Sequence, residues 1–304
     1  MDDTNKRKWA GTTSGSTWMH RSLIQMLRFI PLRAIYWFAA IFVLPFYIIF
    51  NRQAVRAIGQ YHRGRYNRNG LTLFVWIWKS HYRMMHIVID RFAVYGGKRF
   101  NFEADGNDAF KALECKPGGF ITLTSHTGNQ ELIGYSMNSA IKQMAVLVYG
   151  GETASIMENR RKILSKHNIE MIPVDETFNH IFAMNEALAN GKIIGMPADR
   201  AVGSTKTFNV TFLGTQAQFP LGPFATAVQR EVPLIALFMM KEGIKKYRLI
   251  VRPVELDNET STALNKRERM AALGEKYVTI LENVVSAYPD QWFNFYDFWN
   301  ETSN

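Results

Sequence analysis

At 304 residues, with 47% hydrophobic and 20% charged side chains, the chain is long enough for one large domain or a domain with an anchor. A single cysteine, Cys115, excludes an internal disulfide framework and any cysteine-rich zinc site. The net charge of +10 is uneven: residues 1–100 carry 16 Lys/Arg and 3 Asp/Glu, a net of +13, whereas residues 101–304 carry 20 and 23, a net of −3.

Residues 1–28 form a polar, basic N-terminal segment, in which Gly11 to Leu23 reads as a loop leading into a helix. A secretory signal does not fit, because the apolar run comes late and no small-residue cleavage site follows it. Residues 29–50, FIPLRAIYWFAAIFVLPFYIIF, are the candidate membrane-anchor helix. The uncharged part, Ala34 to Phe50, is 17 residues. At a rise of 1.5 Å per residue that is about 25 Å, short of a hydrocarbon core of about 30 Å. Phe29 to Leu32 complete the length if Arg33 snorkels to the headgroups. Pro31 starts the helix and Pro45 bends it. Arg21 and Arg28 precede the run, and Arg52, Arg56, Arg63, Arg65 and Arg68 follow it. Basic residues on both flanks leave open a spanning helix or one that returns to the same side. Five of the seven tryptophans also lie in the first hundred residues. Arginine and tryptophan around an apolar run favour an anionic membrane surface over nucleic acid. The competing reading is a buried core helix.

Residues 51–99 read as a basic amphipathic helical region, with one helix over 71–92. His81 and His86 have no carboxylate at ligand spacing and are assigned to packing. Residues 100–304 read as one α/β domain. Strands are expected over 120–124, 144–149, 170–174, 192–196, 208–213, 232–239 and 247–254. Helices are expected over 131–141, 153–167, 179–189 and 261–288, the third stopped by Asn190-Gly191. The pattern predicts a mixed, mostly parallel sheet covered by helices.

The richest stretch is Phe120 to Tyr135, FITLTSHTGNQELIGY. An apolar, β-branched strand gives way to a helix across Ser125, His126, Thr127, Gly128 and Asn129. Such a turn sits at the carboxyl edge of a sheet, where α/β proteins bind ligands. His126 and Glu131 read together as a general base with an orienting carboxylate. The Gly128 and Asn129 N–H groups are expected to receive negative charge. The bland alternative is a satisfied histidine near a surface glutamate. No Walker A loop, GxGxxG, HExxH or GxSxG is present, so a phosphate cradle, a zinc site and a serine nucleophile are not indicated. No metal and no bound cofactor is expected.

The stretch FITLTSHTGNQELIG behind a hydrophobic anchor resembles the first motif, H-x₄-D/E, of the lysophospholipid acyltransferase superfamily. The glutamate form is similar to the branch of late acyltransferases of lipid A biosynthesis. So are Pro197-Ala198-Asp199-Arg200, Val210 to Gly214 and the final Pro289-Asp290-Gln291-Trp292. The resemblance covers roughly residues 20–299 and implies a glycerolipid-acyltransferase-like fold. It implies a protein of the inner membrane, with its catalytic domain facing the cytoplasm. It also implies transfer of an acyl chain from an acyl-carrier-protein or coenzyme A thioester to a hydroxyl or amine of a lipid. His126 takes the place of the general base and Glu131 that of its partner. Asp199 takes the place of the acidic residue of the later motif. Arg200 beside it reads, from the residue alone, as a group that meets a phosphate or carboxylate, or as a solvated surface charge. The branch's functional arginine corresponds to Arg160 or Arg161, with Arg161 preferred. That unplaced arginine, and Tyr149-Gly150-Gly151 where the branch has Tyr-Arg, are departures that concern the acceptor. MPADRAVG stands where glycerophospholipid acyltransferases have a Phe-Pro-Glu-Gly run, which counts against that rival. An acyltransferase for an amino lipid or a lysophospholipid, and a catalytically silent lipid-binding relative, are the rival readings.

Overall fold

The computed structural model describes residues 17–136, 141–149, 154–174, 179–201 and 206–299. The loop expected from Gly11 to Ser16, the Gly150-Gly151 pair and residues 137–140 of the helix expected over 131–141 lie outside them.

Five helices come first: α1 (Thr17–Phe29), α2 (Leu32–Phe42), α3 (Leu44–Phe50), α4 (Arg52–Tyr66) and α5 (Gly70–Tyr95). The α/β domain then runs β1 (Asn101–Asp105), α6 (Asn107–Cys115), β2 (Phe120–Thr124), α7 (Gln130–Ser136), β3 (Met144–Tyr149), α8 (Ala154–Leu164) and β4 (Ile169–Val174). It continues with α9 (Asn179–Ala189), β5 (Ile193–Pro197), β6 (Thr207–Phe212), β7 (Thr215–Pro220), α10 (Gly222–Arg230), β8 (Leu234–Lys241) and β9 (Lys246–Pro253). α11 (Asn258–Ala263) and α12 (Lys266–Ala287) close it.

Seven strands form one sheet in the order β1-β9-β8-β2-β5-β3-β4. Every pairing is parallel except β8 with β9. The fold is therefore α/β, with a mixed, mostly parallel sheet covered by helices. Central parallel strands are covered on both faces and so read as unbroken apolar runs. β8 shows this best, with all eight residues buried. Successive side chains point to opposite faces. Ile121, Leu123, Ile194, Met196, Ala236 and Phe238 face a core built with α9, α10 and α12. Phe120, Ile193, Ile235, Leu237 and Met239 face a second core, built with α5, α6 and α7 and joined by α1 and α2.

Three local features depart from the pattern expected of the sequence. The polar, largely exposed edge strand β1 and the strand β7 were not anticipated. β6 and β7 form a hairpin whose two-residue turn, Leu213-Gly214, has positive φ at both positions (49° and 77°), as the twist of a tight hairpin requires. The helix expected over 261–288 is two helices, because Asn265 caps α12 in a capping box with Glu268.

Candidate active site

The site is made by register. β2 and β5 are parallel neighbours whose last paired residues are Thr124 and Pro197. His126 and Asp199 each lie two residues beyond that pair, so 73 residues of sequence separation close to one contact. The ladder continues past the strand ends, where Ala198 N–H donates to the Thr124 carbonyl (2.9 Å). Asp199 then holds His126 twice. Its Oδ1 accepts from the ring Nδ1 at 2.8 Å, and its Oδ2 accepts from the His126 backbone N–H at 2.9 Å. The carboxylate is fully buried, whereas the imidazole keeps 27% of its side-chain surface exposed.

Burial alone would push the Asp199 carboxyl up. The charge and hydrogen bonds of His126, with Arg200 nearby, outweigh it and hold the carboxyl below its ordinary value. An ionised Asp199 fixes the proton on Nδ1 and leaves the Nε2 lone pair free. The pair thus has the geometry that an oriented base requires, at the carboxyl edge of a sheet.

Glu131 does not orient His126. It sits in the first turn of α7 and turns to a different group of residues. Its carboxylate ion-pairs with Arg91 of α5 (2.8 Å) and with Arg160 of α8 (3.8 Å), and it accepts from the Tyr95 hydroxyl. Glu131 is the nearer carboxylate in sequence, but five residues along a turn and helix start carry it to Arg91 and Arg160, while the parallel register brings Asp199 to the ring. Of the two arginines left open, Arg160 faces Glu131 and Arg161 is exposed on α8.

The expectation for the Gly128 and Asn129 N–H groups is also corrected. Gly128 N–H donates to the Gln291 carbonyl (2.8 Å) and Asn129 N–H to the Met239 carbonyl (2.7 Å). Both are satisfied by the protein and do not point at a reacting atom. Gly128 is required there: its φ is +53°, and a Cβ would come within 2.0 Å of the Met239 carbonyl oxygen.

The segment from Gln291 to Asn294 is the part of the site that sequence reading missed as a site element. Phe293 N–H donates to the His126 carbonyl (2.9 Å), and Thr127 pairs with Trp292. The Gln291 side chain bonds both the N–H and the carbonyl of Lys241, each at 2.8 Å, which ties the segment to β8. Arg200 is placed on the same segment, donating to the Phe293 carbonyl (3.0 Å) and to Asn294 Oδ1 (3.1 Å). Trp292 anchors it among Phe212, Phe298 and Trp299, with ring centroids 5.0–5.5 Å away. The signal available was the Pro289-Asp290-Gln291-Trp292 match, which marked the segment but not its target.

Among the described residues, no cluster of three His, Cys, Asp or Glu side chains could hold a metal ion. Two surface hollows of about 570 and 600 Å³ open at the opposite edge of the sheet, by Pro233 and Leu234 and by Gly191 and Lys192. Neither borders His126.

Among curated proteins, none matches this sequence. A solved structure, the 1-acyl-sn-glycerophosphate (LPA) acyltransferase PlsC from Thermotoga maritima, is distantly similar at 12% identity. The match covers 80% of this chain and 100% of that one, with a TM-score of 0.35. The family model described as bacterial lipid A biosynthesis acyltransferase matches residues 75–301, a span that includes the β2 turn, the end of β5 and the segment after α12. The chain belongs to the bacterial lipid A biosynthesis acyltransferase family.

Proposed function

We propose that this acyltransferase moves a fatty acyl chain from the phosphopantetheine thioester of acyl-carrier protein or coenzyme A to a lipid acceptor. The acceptor offers a hydroxyl, or an amine, as a lipid A precursor does. The observation that carries this reading is the His126–Asp199 pair at the carboxyl edge of the sheet, in a chain of an acyltransferase family.

In this mechanism Nε2 of His126 takes the proton of the acceptor O–H as the oxygen attacks the thioester carbonyl. The tetrahedral intermediate collapses with cleavage of the C–S bond. The thiolate then leaves with the proton held by the imidazolium, and the base is restored. No acyl-enzyme is formed. Asp199 keeps the ring in the productive tautomer and stabilises its protonated form. Glu131, with Arg91 and Arg160, forms a charged wall beside the turn, carrying one net positive charge from two arginines and one carboxylate. Such a wall suits an anionic group of either substrate. Arg161 and Arg200 are the further candidates for contact with that group.

Acyl-carrier-protein and coenzyme A thioesters are cytoplasmic, which places the catalytic edge on that side of the inner membrane. The net charge of +13 around the apolar run supports this orientation.

The test is a transfer assay read by mass spectrometry. The full chain in detergent receives a palmitoyl or myristoyl carrier-protein thioester and a total lipid extract, with His126→Ala beside it. A new acylated lipid should form with wild type and fall by roughly 10²–10⁴ in the variant. Equal turnover by both proteins would remove His126 as the base.

A further inference from the structure

The run Leu32–Phe50 is 19 residues with a mean hydropathy of 1.9, long and apolar enough to cross a membrane. A helix that crosses separates the residues before it from those after it. Here both flanks are built into the same body. Before the run, Leu27 of α1 is fully buried in the core that holds Ile87 and Ala93 of α5. The backbones are close as well: a Cβ on Gly96, at the end of α5, would lie 3.0 Å from the Ile24 carbonyl. After the run, Ala54 and Ile58 of α4 are buried at 1% exposure, and Tyr61 joins the other core.

The run itself is half in the protein. Leu32, Ile35, Tyr36 and Ala39 of α2 face the domain, and Leu44 of α3 is 2% exposed. The Tyr36 hydroxyl reaches the buried Asp90 carboxylate, which Lys241 and Tyr247 of the sheet also contact. A helix with its hydroxyl in the protein core is not free to stand alone in lipid. Its other face is bare and apolar: Trp37, Phe38, Phe42, Phe46 and Phe50 are exposed, the last at 81%. Leu71 and Phe74 at the start of α5 add to it. Outside residues 26–75, the exposed large hydrophobics among the described residues are Ile141, Ile181 and Phe182. Next to Phe50, the exposed Arg52, Arg56 and Arg63 fall within about 40° of one another around α4, by 100° per residue. An apolar face rimmed by one row of cations fits the acyl chains and anionic headgroups of a single leaflet.

We propose that α2 and α3 lie in one leaflet with their outer face in the acyl chains, and that the chain does not cross the bilayer. α1, α4 and the catalytic edge are then all on one side. The proposal rests on the membrane-bound reading above, but its readout does not need acyl transfer.

The full chain is reconstituted in sealed phosphatidylethanolamine–phosphatidylglycerol vesicles and treated from outside with a membrane-impermeant maleimide. Native Cys115, exposed at the end of α6, reports the catalytic domain. Gln25→Cys and Gln53→Cys, each in a Cys115→Ser background, report the two flanks; both positions are exposed. All three cysteines should label to the same fraction. Labelling of Gln25→Cys in the complementary fraction to the other two would show a crossing helix and overturn the proposal. In flotation, the double variant Phe42→Glu/Phe46→Glu should lose at least 10-fold in vesicle-bound fraction while keeping the wild-type melt in detergent, since its inner face is unchanged. Undiminished flotation, or a wild-type dimer that covers this face and leaves the chain off the vesicles, would also overturn it. A chain that labels symmetrically yet transfers no acyl group would remove the catalytic reading and leave this one standing.

Discussion

Asp199 acts on His126 through two oxygens, and the two contacts do different things. The contact to Nδ1 selects a tautomer; the contact to the backbone N–H fixes where the ring begins. Asp199→Asn separates them. An amide still accepts from the backbone, but its N–H₂ can donate to Nδ1, which moves the ring proton to Nε2 and removes the base. Transfer should fall by roughly 10²–10⁴ with KM for both substrates little changed. A variant that weakens KM while keeping kcat would make Asp199 a binding residue instead. The same carboxyl gives a pH signature. Its folded value is depressed, so its stabilisation is complete above the unfolded value of about 3.9 and is lost as pH falls through the lower folded value. The stability gap between wild type and Asp199→Asn, measured by denaturant titration, should be widest near neutrality and should close below about pH 4. A gap that widens on acidification would contradict the depressed carboxyl.

At the scale of elements, the strands of the parallel sheet were legible because burial on both faces writes them as short apolar runs. β2, β3, β5 and β8 appear in the sequence within two residues of where they fold. The pairing of His126 with Asp199 was not legible, since it depends on which strand lies beside β2, and a pattern of hydrophobicity carries no neighbour list. The histidine could be found from its place after a strand; its partner could not. β7 was hidden for another reason: TQAQFP alternates polar and apolar residues over a few positions, a weak signal beside the strong turn chemistry of Leu213-Gly214. The segment after α12 shows the same limit. Its Pro289-Asp290-Gln291-Trp292 match marked the segment, yet not the element it supports, the His126 turn. Gln291 is the link, through two hydrogen bonds to Lys241 and one from Gly128 to its carbonyl. Gln291→Ala leaves a buried N–H and a buried carbonyl of β8 unpaired, and should cost about 2–4 kcal/mol at roughly 1–3 per orphaned group, with some relief from water. The melt should fall accordingly, and transfer should fall with it at a temperature where the variant is still folded. An unchanged turnover there would show that the strap stabilises the sheet without positioning the turn.

The whole molecule is organised around a polar knot where the N-terminal helices meet the sheet. Asp90 of α5 and Lys241 of β8 lie 2.5 Å apart with 0% and 1% of their side chains exposed. Burial pushes the Asp90 carboxyl up and the Lys241 ammonium down, each against the pull of the other. Tyr36 from α2 and Tyr247 from β9 add hydroxyls to the same carboxylate, and Lys241 also donates to the Ile244 carbonyl (3.1 Å). Four elements therefore converge on two charges, and the backbone of Lys241 is the group that Gln291 grips beneath the His126 turn. A desolvated pair of this kind gives little net stability, but losing one partner leaves a charge stranded in the core. Lys241→Met should cost about 3–5 kcal/mol. Asp90→Asn/Lys241→Met removes both charges and keeps an acceptor for the two tyrosine hydroxyls, so it should recover more than half of that loss. Denaturant titration of the four members of this cycle in detergent gives the coupling directly. If the double variant is as unstable as Lys241→Met alone, the ion pair is holding α2, α5 and the sheet together by more than charge compensation. If it recovers, the knot's contribution is geometric: it brings α2, α5 and the strand β8 behind the His126 turn to one point, and neutral side chains of similar shape can do the same.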